Sequence, residues 1–210
     1  MPDALIWGAS GALGSALVKQ LNKNGWRVLA VARDESRIPD EAAFTFQFDA
    51  GDPASITAAV TLCAHETEGI DLVVYAAGGV IPSPLDKMDV ENWQAVLDAN
   101  LSGVYYAARS SLNLMNKNAH FMAIGAYVHK ITLPRMGAYA TAKAGLETLI
   151  QTLQKENRKL NITIVRPPAV DTPFWENVPF SLPESALQPN DVANAIIEHY
   201  NSGGSGELDL

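Results

Sequence analysis

The sequence predicts an α/β protein, a single domain built on a doubly wound parallel sheet. Three observations carry this. Short apolar runs alternate with amphipathic stretches along the whole chain, and such alternation implies right-handed crossovers between parallel strands. Runs such as DLVVYAA (71–77) are apolar throughout, as strands covered on both faces must be. The 210 residues are 48% hydrophobic and 18% charged, which suits one sizeable core spanning 1–210.

Each element has its own signal. ALIWG (4–8) reads as a buried first strand. A helix over 12–25 follows, with Leu13, Leu17 and Leu21 at helical spacing and Gly25 as its stop. RVLAVA (27–32) and FTFQFD (44–49) are strands. Residues 53–66 form a helix with Pro53 in the first turn. After the strand at 71–77 comes one long helix over 90–115, then a strand at 120–125. A helix at 138–157, a strand at 161–167 and a helix at 190–200 with Asn190 as N-cap complete the pattern. GELDL supplies a last strand, and NSGGSG (201–206) before it is a surface turn.

Bulk properties limit the function. A formal charge of −8 argues against a general nucleic-acid binder or a binder of anionic membranes. The single cysteine, Cys63, allows no internal disulfide and no thiolate cage. His65, His120 and His199 are scattered without ligand spacing and His129 lies on a loop, so no metal site is expected. No apolar run nears the roughly 18 residues of a membrane span. The start MPDALIWGAS has no basic region before an apolar core, so a cytoplasmic location is expected.

Two short stretches point to chemistry. Gly8-Ala-Ser10-Gly11-Ala-Leu13-Gly14 links the first strand to the first helix. Glycine there lets backbone approach a pyrophosphate, and the helix start offers free N–H groups and a positive dipole end. The second strand ends Ala32-Arg33, where a site for NAD would place an acid. A cation at that point suits the extra phosphate of NADP(H), with NAD(H) less favoured and Arg37 a weaker second candidate. Farther on, Tyr139 and Lys143 are one helical turn apart on the same face. An ammonium beside a phenol would lower its proton affinity, so that the tyrosine can serve as proton donor while a hydride reaches a carbonyl carbon.

These landmarks, taken in order, resemble the short-chain dehydrogenase/reductase family over nearly the whole chain. The set is Gly8, Gly11 and Gly14; Asp49; Ala76-Ala77-Gly78; Asn100 in the long helix; Tyr139 and Lys143; and Pro167 to Thr172 after the sixth strand. The resemblance implies a Rossmann-type domain and the cofactor NADP(H). It implies that Asp49 bonds the adenine amino group and that Ala76, Ala77 and Gly78 line the ribose. Asn100, at a helix irregularity, would hold the water that reprotonates Tyr139. Lys143 would bond the nicotinamide ribose and Thr172 the carboxamide, with Pro167 and Val170 lining the same loop. Ser10 and Leu13 join the glycine turn. Catalysis would then rest on Tyr139, Lys143 and Asn100. The implied partners are a small-molecule carbonyl or alcohol substrate and further copies of the chain in a homodimer or homotetramer. Trp93, Val96, Leu97, Leu101, Val104 and Tyr105, apolar on more than one helix face, point the same way.

The chain departs from that pattern. Ala12 stands where the commonest branch has glycine, YAAG lacks the usual asparagines, and Pro168 replaces the usual glycine. Above all, Ala126 lies thirteen residues before Tyr139, where the family has a serine that polarises the substrate carbonyl. Three readings follow: Tyr127 or Thr132 substitutes, Tyr139 suffices alone, or the chain is a catalytically impaired NADP(H)-binding sensor or scaffold. The reductase reading carries more weight because Tyr139, Lys143 and Asn100 all persist. The segment 173–189, with Phe174, Trp175 and Phe180, reads as a short substrate lid. Ile81, Tyr127, Met136 and Trp175 predict an apolar cavity suited to a small or hydrophobic carbonyl.

Overall fold

The computed structural model of the chain describes residues 1–210. It contains seven strands: β1 (Asp3–Trp7), β2 (Arg27–Ala32), β3 (Phe44–Gln47), β4 (Ile70–Tyr75), β5 (Met115–Ile124), β6 (Asn161–Arg166) and β7 (Gly206–Asp209). All neighbours pair in parallel, in the order β3-β2-β1-β4-β5-β6-β7. The helices are α1 (Ala12–Lys23), α2 (Pro53–Glu66), α3 (Val90–Leu97), α4 (Gly103–Ser111), α5 (Val128–Ile131), α6 (Gly137–Glu156) and α7 (Pro189–Asn201).

The period-2 geometry of each strand divides the core into two layers. Leu5, Trp7, Leu29, Val73, Phe121 and Ile164 face α2, α4 and α6. Ala4, Ile6, Val28, Val74 and Met122 face α1 and α7, meeting Leu17, Leu21, Val192 and Ile196. Each fully buried Leu or Ile contributes about 1.5–3 kcal/mol of transfer free energy, so these layers dominate the fold's stability. Cys63 belongs to the first layer, and burial pushes its thiol up to about 12. Winding reverses between β1 and β4, which places the glycine turn and Ala76–Gly78 together at the carboxyl ends of the strands.

Several boundaries differ from expectation. The predicted single helix over 90–115 is α3, a π turn (Asp98–Ser102), α4 and a short 3₁₀ turn. β5 begins at Met115, five residues earlier than expected, because Met115 pairs with Ile70 before the register shifts to Leu72–His120. α7 starts at Pro189, so its cap is Gln188 and not Asn190; Gln188 and Asp191 bond reciprocally as a capping box. Gly8, Ala76 and Ala77 lie just beyond their strands. No helix is long and apolar enough to cross a membrane.

Candidate active site

The glycine turn is shaped by close approach. Gly8 has φ +80, and a Cβ on it would lie 2.5 Å from Ala77 N. A Cβ on Gly14 would overlap the carbonyl oxygen of Gly8. Gly11 N donates to Gly8 O at 3.0 Å, and Gly11 caps α1 without a side-chain bond. The first-turn amides of α1 therefore have no helical or capping acceptor. Glycine at 8 and 14 is thus required for turn, strand end and helix to pack this closely, and the free amides fit the pyrophosphate of a dinucleotide. Ser10 and Leu13 are half-buried in the same turn.

Ala32 ends β2 in the core, and Arg33 stands exposed beyond it with no ion pair, its carbonyl taken by Gln47 Nε2 at 3.1 Å. Asp34 does not compete for that guanidinium. Its Oδ1 accepts from Ser36 N at 3.1 Å and Ser36 Oγ at 2.6 Å, closing a 3₁₀ turn. Arg37 is exposed in the same turn. Asp49 follows β3, exposed, with Oδ1 accepting from Gly51 N at 2.9 Å. Ala76 N donates to Trp7 O at 2.9 Å; Ala76 and Ala77 are half-buried and Gly78 is exposed.

The first turns of α6 carry Tyr139 and Lys143. Lys143 is 4% exposed, and its Nζ donates to Ile124 O at the end of β5 at 2.7 Å. The same Nζ lies 5.6 Å from the centre of the Tyr139 ring. The lysine was expected to lower the phenol's proton affinity. Here the shift runs the other way: burial pushes Tyr139 up to about 12 and Lys143 down to about 8. At neutral pH the phenol is therefore protonated and the amine largely so. Asn100 is fully buried in the π turn, an irregularity of the kind the resemblance implied. Its Nδ2 donates to Gly79 O at 2.7 Å and Val96 O at 2.8 Å, while Oδ1 is buried without a partner. A Cβ on Gly78 would lie 2.9 Å from that oxygen.

Ala126 is buried and offers no donor. Neither expected substitute is free to replace it. Tyr127 donates its hydroxyl to Leu210 O at 3.1 Å, and Thr132, just past α5, donates back to Val128 O at 2.8 Å. Tyr127 borders a hollow of about 250 Å³ lined by His129, Glu147, Arg166 and Asp209, a charged space and not the apolar cavity expected around it. Met136 is buried and Ile81 exposed. After β6, Val170 pairs with Leu187, and Thr172 Oγ1 turns to Val170 O at 3.4 Å. Trp175 Nε1 also donates to Val170 O, at 2.9 Å, and fixes a 3₁₀ turn (Pro173–Asn177). Phe174 in that turn lies 5.5 Å from Tyr139, centre to centre. Pro167 is half-buried at the root of the loop.

The family model described as short chain dehydrogenase matches residues 3–180. The chain belongs to the short-chain dehydrogenase family. An uncharacterized oxidoreductase of Staphylococcus saprophyticus is 27% identical over 208 residues, covering 92% of this chain and 88% of its own. One from Staphylococcus epidermidis is 25% identical with the same coverage. Among solved structures, an alcohol dehydrogenase from the archaeon Thermococcus sibiricus, complexed with 5-hydroxy-NADP, superposes with a TM-score of 0.90 at 24% identity, over 100% of this chain and 96% of that one. A Burkholderia cenocepacia short chain dehydrogenase in complex with NADP gives 0.88 at 22%, with the same coverage. At that identity these structures establish the fold. In this short-chain dehydrogenase, sequence reasoning missed two groups beside Asn100: the Gly79 carbonyl and the hydroxyl of Tyr75, which donates to Ala99 O at 3.2 Å. Tyr75 was read only as an apolar strand residue, and the carbonyl leaves no trace in sequence.

Proposed function

We propose that this short-chain oxidoreductase reduces a small or hydrophobic carbonyl with NADPH, Tyr139 giving the proton. One observation carries the reading. Tyr139, Lys143 and Asn100 lie near the carboxyl ends of β4 and β5, the end of the sheet at which the glycine turn leaves β1.

A nicotinamide dinucleotide, when bound, supplies the hydride. The backbone of Gly8, Gly11 and Gly14 and the start of α1, with Ser10 and Leu13, would hold its pyrophosphate. Arg33, exposed and unpaired, suits a 2′-phosphate, and both NADP-type complexes among the structural neighbours agree with that choice. Asp49 would take the adenine, Ala76, Ala77 and Gly78 the ribose beside it, and Pro167, Val170 and Thr172 the carboxamide end. Tyr139, neutral at pH 7, gives its proton to the carbonyl oxygen. Lys143, mostly ammonium at that pH, stabilises the phenolate left behind and binds ribose hydroxyls. Asn100, at the π turn, would hold the water through which Tyr139 is reprotonated. Phe174, against the Tyr139 ring, excludes bulk water from the transfer.

Reduction is followed as loss of NADPH absorbance against a panel of aldehydes, ketones and quinones. The expected result is turnover that Tyr139→Phe lowers by about 10²–10⁴-fold with NADPH affinity unchanged, since a positioned proton donor contributes that much. Tighter binding of NADH than NADPH would overturn the cofactor assignment. A second reading, binding without turnover, draws support from Ala126 and from the commitment of the Tyr127 and Thr132 hydroxyls elsewhere. Tight NADPH binding with no turnover of any carbonyl would select it.

A further inference from the structure

We propose that Phe174, in the 3₁₀ turn after β6, is a specificity-determining residue: its ring is the wall against which the substrate lies, and it selects a flat aromatic aldehyde or ketone over a saturated one of the same size. The inference rests on the reductase reading given above and names the substrate class of that same site.

Polar selection has little to work with here. Ala126 carries no donor, and the hydroxyls of Tyr127 and Thr132 bond Leu210 O and Val128 O. Lys143 Nζ is held by Ile124 O. Tyr139 is then the one donor left for the carbonyl. What tells one carbonyl from another is the apolar surface around it.

Phe174 supplies that surface. Its ring lies 5.5 Å from the Tyr139 ring, centre to centre, inclined at 50°. A carbonyl that bonds the phenol hydroxyl is therefore set beside Phe174, and its substituents meet that ring. Phe174 also stands two positions past Thr172, at the end of the loop assigned above to the carboxamide. Proton donor, hydride donor and Phe174 thereby converge on one space.

The ring is held in place before any substrate arrives. Trp175 packs edge-on against it at 5.7 Å and 77°, and Trp175 Nε1 donates to Val170 O at 2.9 Å. Trp175 N donates to Thr172 O at 3.2 Å. The two ends of the segment are tied as well: Leu187 N donates to Ala169 O and Asp171 N to Leu187 O, both at 2.9 Å. A wall fixed in advance loses little entropy on binding. Excluding water needs only an apolar side chain, and leucine would serve. Phenylalanine adds a π face, and rings with centres about 4.5–7 Å apart attract beyond the area they bury. A planar ring conjugated with the carbonyl can use that face, and a puckered saturated ring cannot.

The test compares benzaldehyde with cyclohexanecarbaldehyde, which share a carbon skeleton and differ in the π face. With NADPH, kcat/KM for each is measured in the parent, Phe174→Leu and Phe174→Tyr. Taking the aromatic-to-saturated ratio in each protein and then comparing proteins cancels the intrinsic reactivities. Phe174→Leu is expected to lower that ratio about 5-fold, the effect of one aromatic pair, and Phe174→Tyr to keep it. An equal ratio in the parent and Phe174→Leu, or the same loss in Phe174→Tyr, would overturn the proposal. If neither aldehyde turned over in any of the proteins, the reductase reading would fail instead. Two unreactive relatives, benzamide and cyclohexanecarboxamide, then decide. They are titrated into the protein with NADP⁺ and followed by NMR of the Trp175 indole N–H. Phe174→Leu should weaken benzamide about 5-fold more than its saturated counterpart, and equal losses would sink the assignment of Phe174.

Discussion

Lys143 sits in the core with three donors and a single carbonyl, that of Ile124, within bonding distance. Burial holds its folded value at about 8 against an ordinary 10.5. Between those values the unfolded chain binds more protons than the folded one, so this group makes stability rise with pH across that window. Below pH 8 the buried charge is a standing cost. Lys143→Met is therefore expected to raise unfolding free energy at pH 7 by on the order of 2 kcal/mol while abolishing turnover, and the gain should vanish near pH 10.5. Urea unfolding at the two pH values measures it. Ala126 poses the converse case, a small buried side chain where a donor would help catalysis. A single donor to a developing oxyanion is worth about 10²–10³ in rate. Ala126→Ser should raise kcat at least about 10-fold, because the nearby hydroxyls of Tyr127 and Thr132 are already bonded elsewhere. A steady-state kcat equal to the parent's would show that the carbonyl does not lie beside residue 126.

Between β5, β6 and α7 a small polar knot crosses the sheet. His120 Nε2 and Thr163 Oγ1 are 2.7 Å apart, and Thr163 Oγ1 and His199 Nε2 3.2 Å, with the Tyr200 ring 6.3 Å from His120. Burial, with some effect of the neighbouring His199, lowers His120 from 6.5 to about 4, and burial lowers His199 as well. The unfolded chain therefore takes up protons first on acidification, so stability falls as pH drops from about 6.5 to about 4, by on the order of 3 kcal/mol for His120. His120→Gln should flatten that slope in chemical unfolding measured across the same range. Elements with sharp ends were legible in the sequence: β2 and α2 run over the predicted residues, set by Arg33 and by Asp52-Pro53. The break at Asp98–Ser102 left no mark in the apolar rhythm, because a π turn keeps helical torsions and the rhythm passes through it; only the family resemblance implied an irregularity at Asn100. The early start of β5 was hidden by its exposed polar residues, Asn116, Lys117 and Asn118. The close approach of the glycine turn to Ala77 was legible because glycine marks tight backbone contacts. The Tyr75–Ala99 bond was not, since it joins residues 24 apart through a side chain that reads as apolar. The orientation of Tyr127 depends on contact with Leu210, 83 residues away, which no local pattern encodes.

At the scale of the whole molecule, α4 and α6 together offer a surface of one exposed tyrosine and small side chains. Tyr105 on α4 is 44% exposed beside Tyr106, and α6 shows the small residues Thr141, Ala144 and Thr148 to the outside. An exposed tyrosine beside small side chains suits close helix packing against a second copy related by two-fold symmetry. Sedimentation velocity is expected to give a dimer or tetramer, and Tyr105→Glu should shift the population to monomer with the fold intact. A chain carrying a net −8 would repel its copies, so the association should strengthen as salt is added. The segment after β6 has a different reach. Of the four indoles, those at 7 and 26 are sealed within the core, whereas those of Trp93 and Trp175 are partly open to water, and that of Trp175 rides on the turn beside Phe174. Its tether to Val170 O joins it to the loop under which the coenzyme would lie. Fluorescence from position 175 is therefore expected to change when NADPH is added, with Trp175→Phe, which leaves Trp93 in place, removing that change and no label needed.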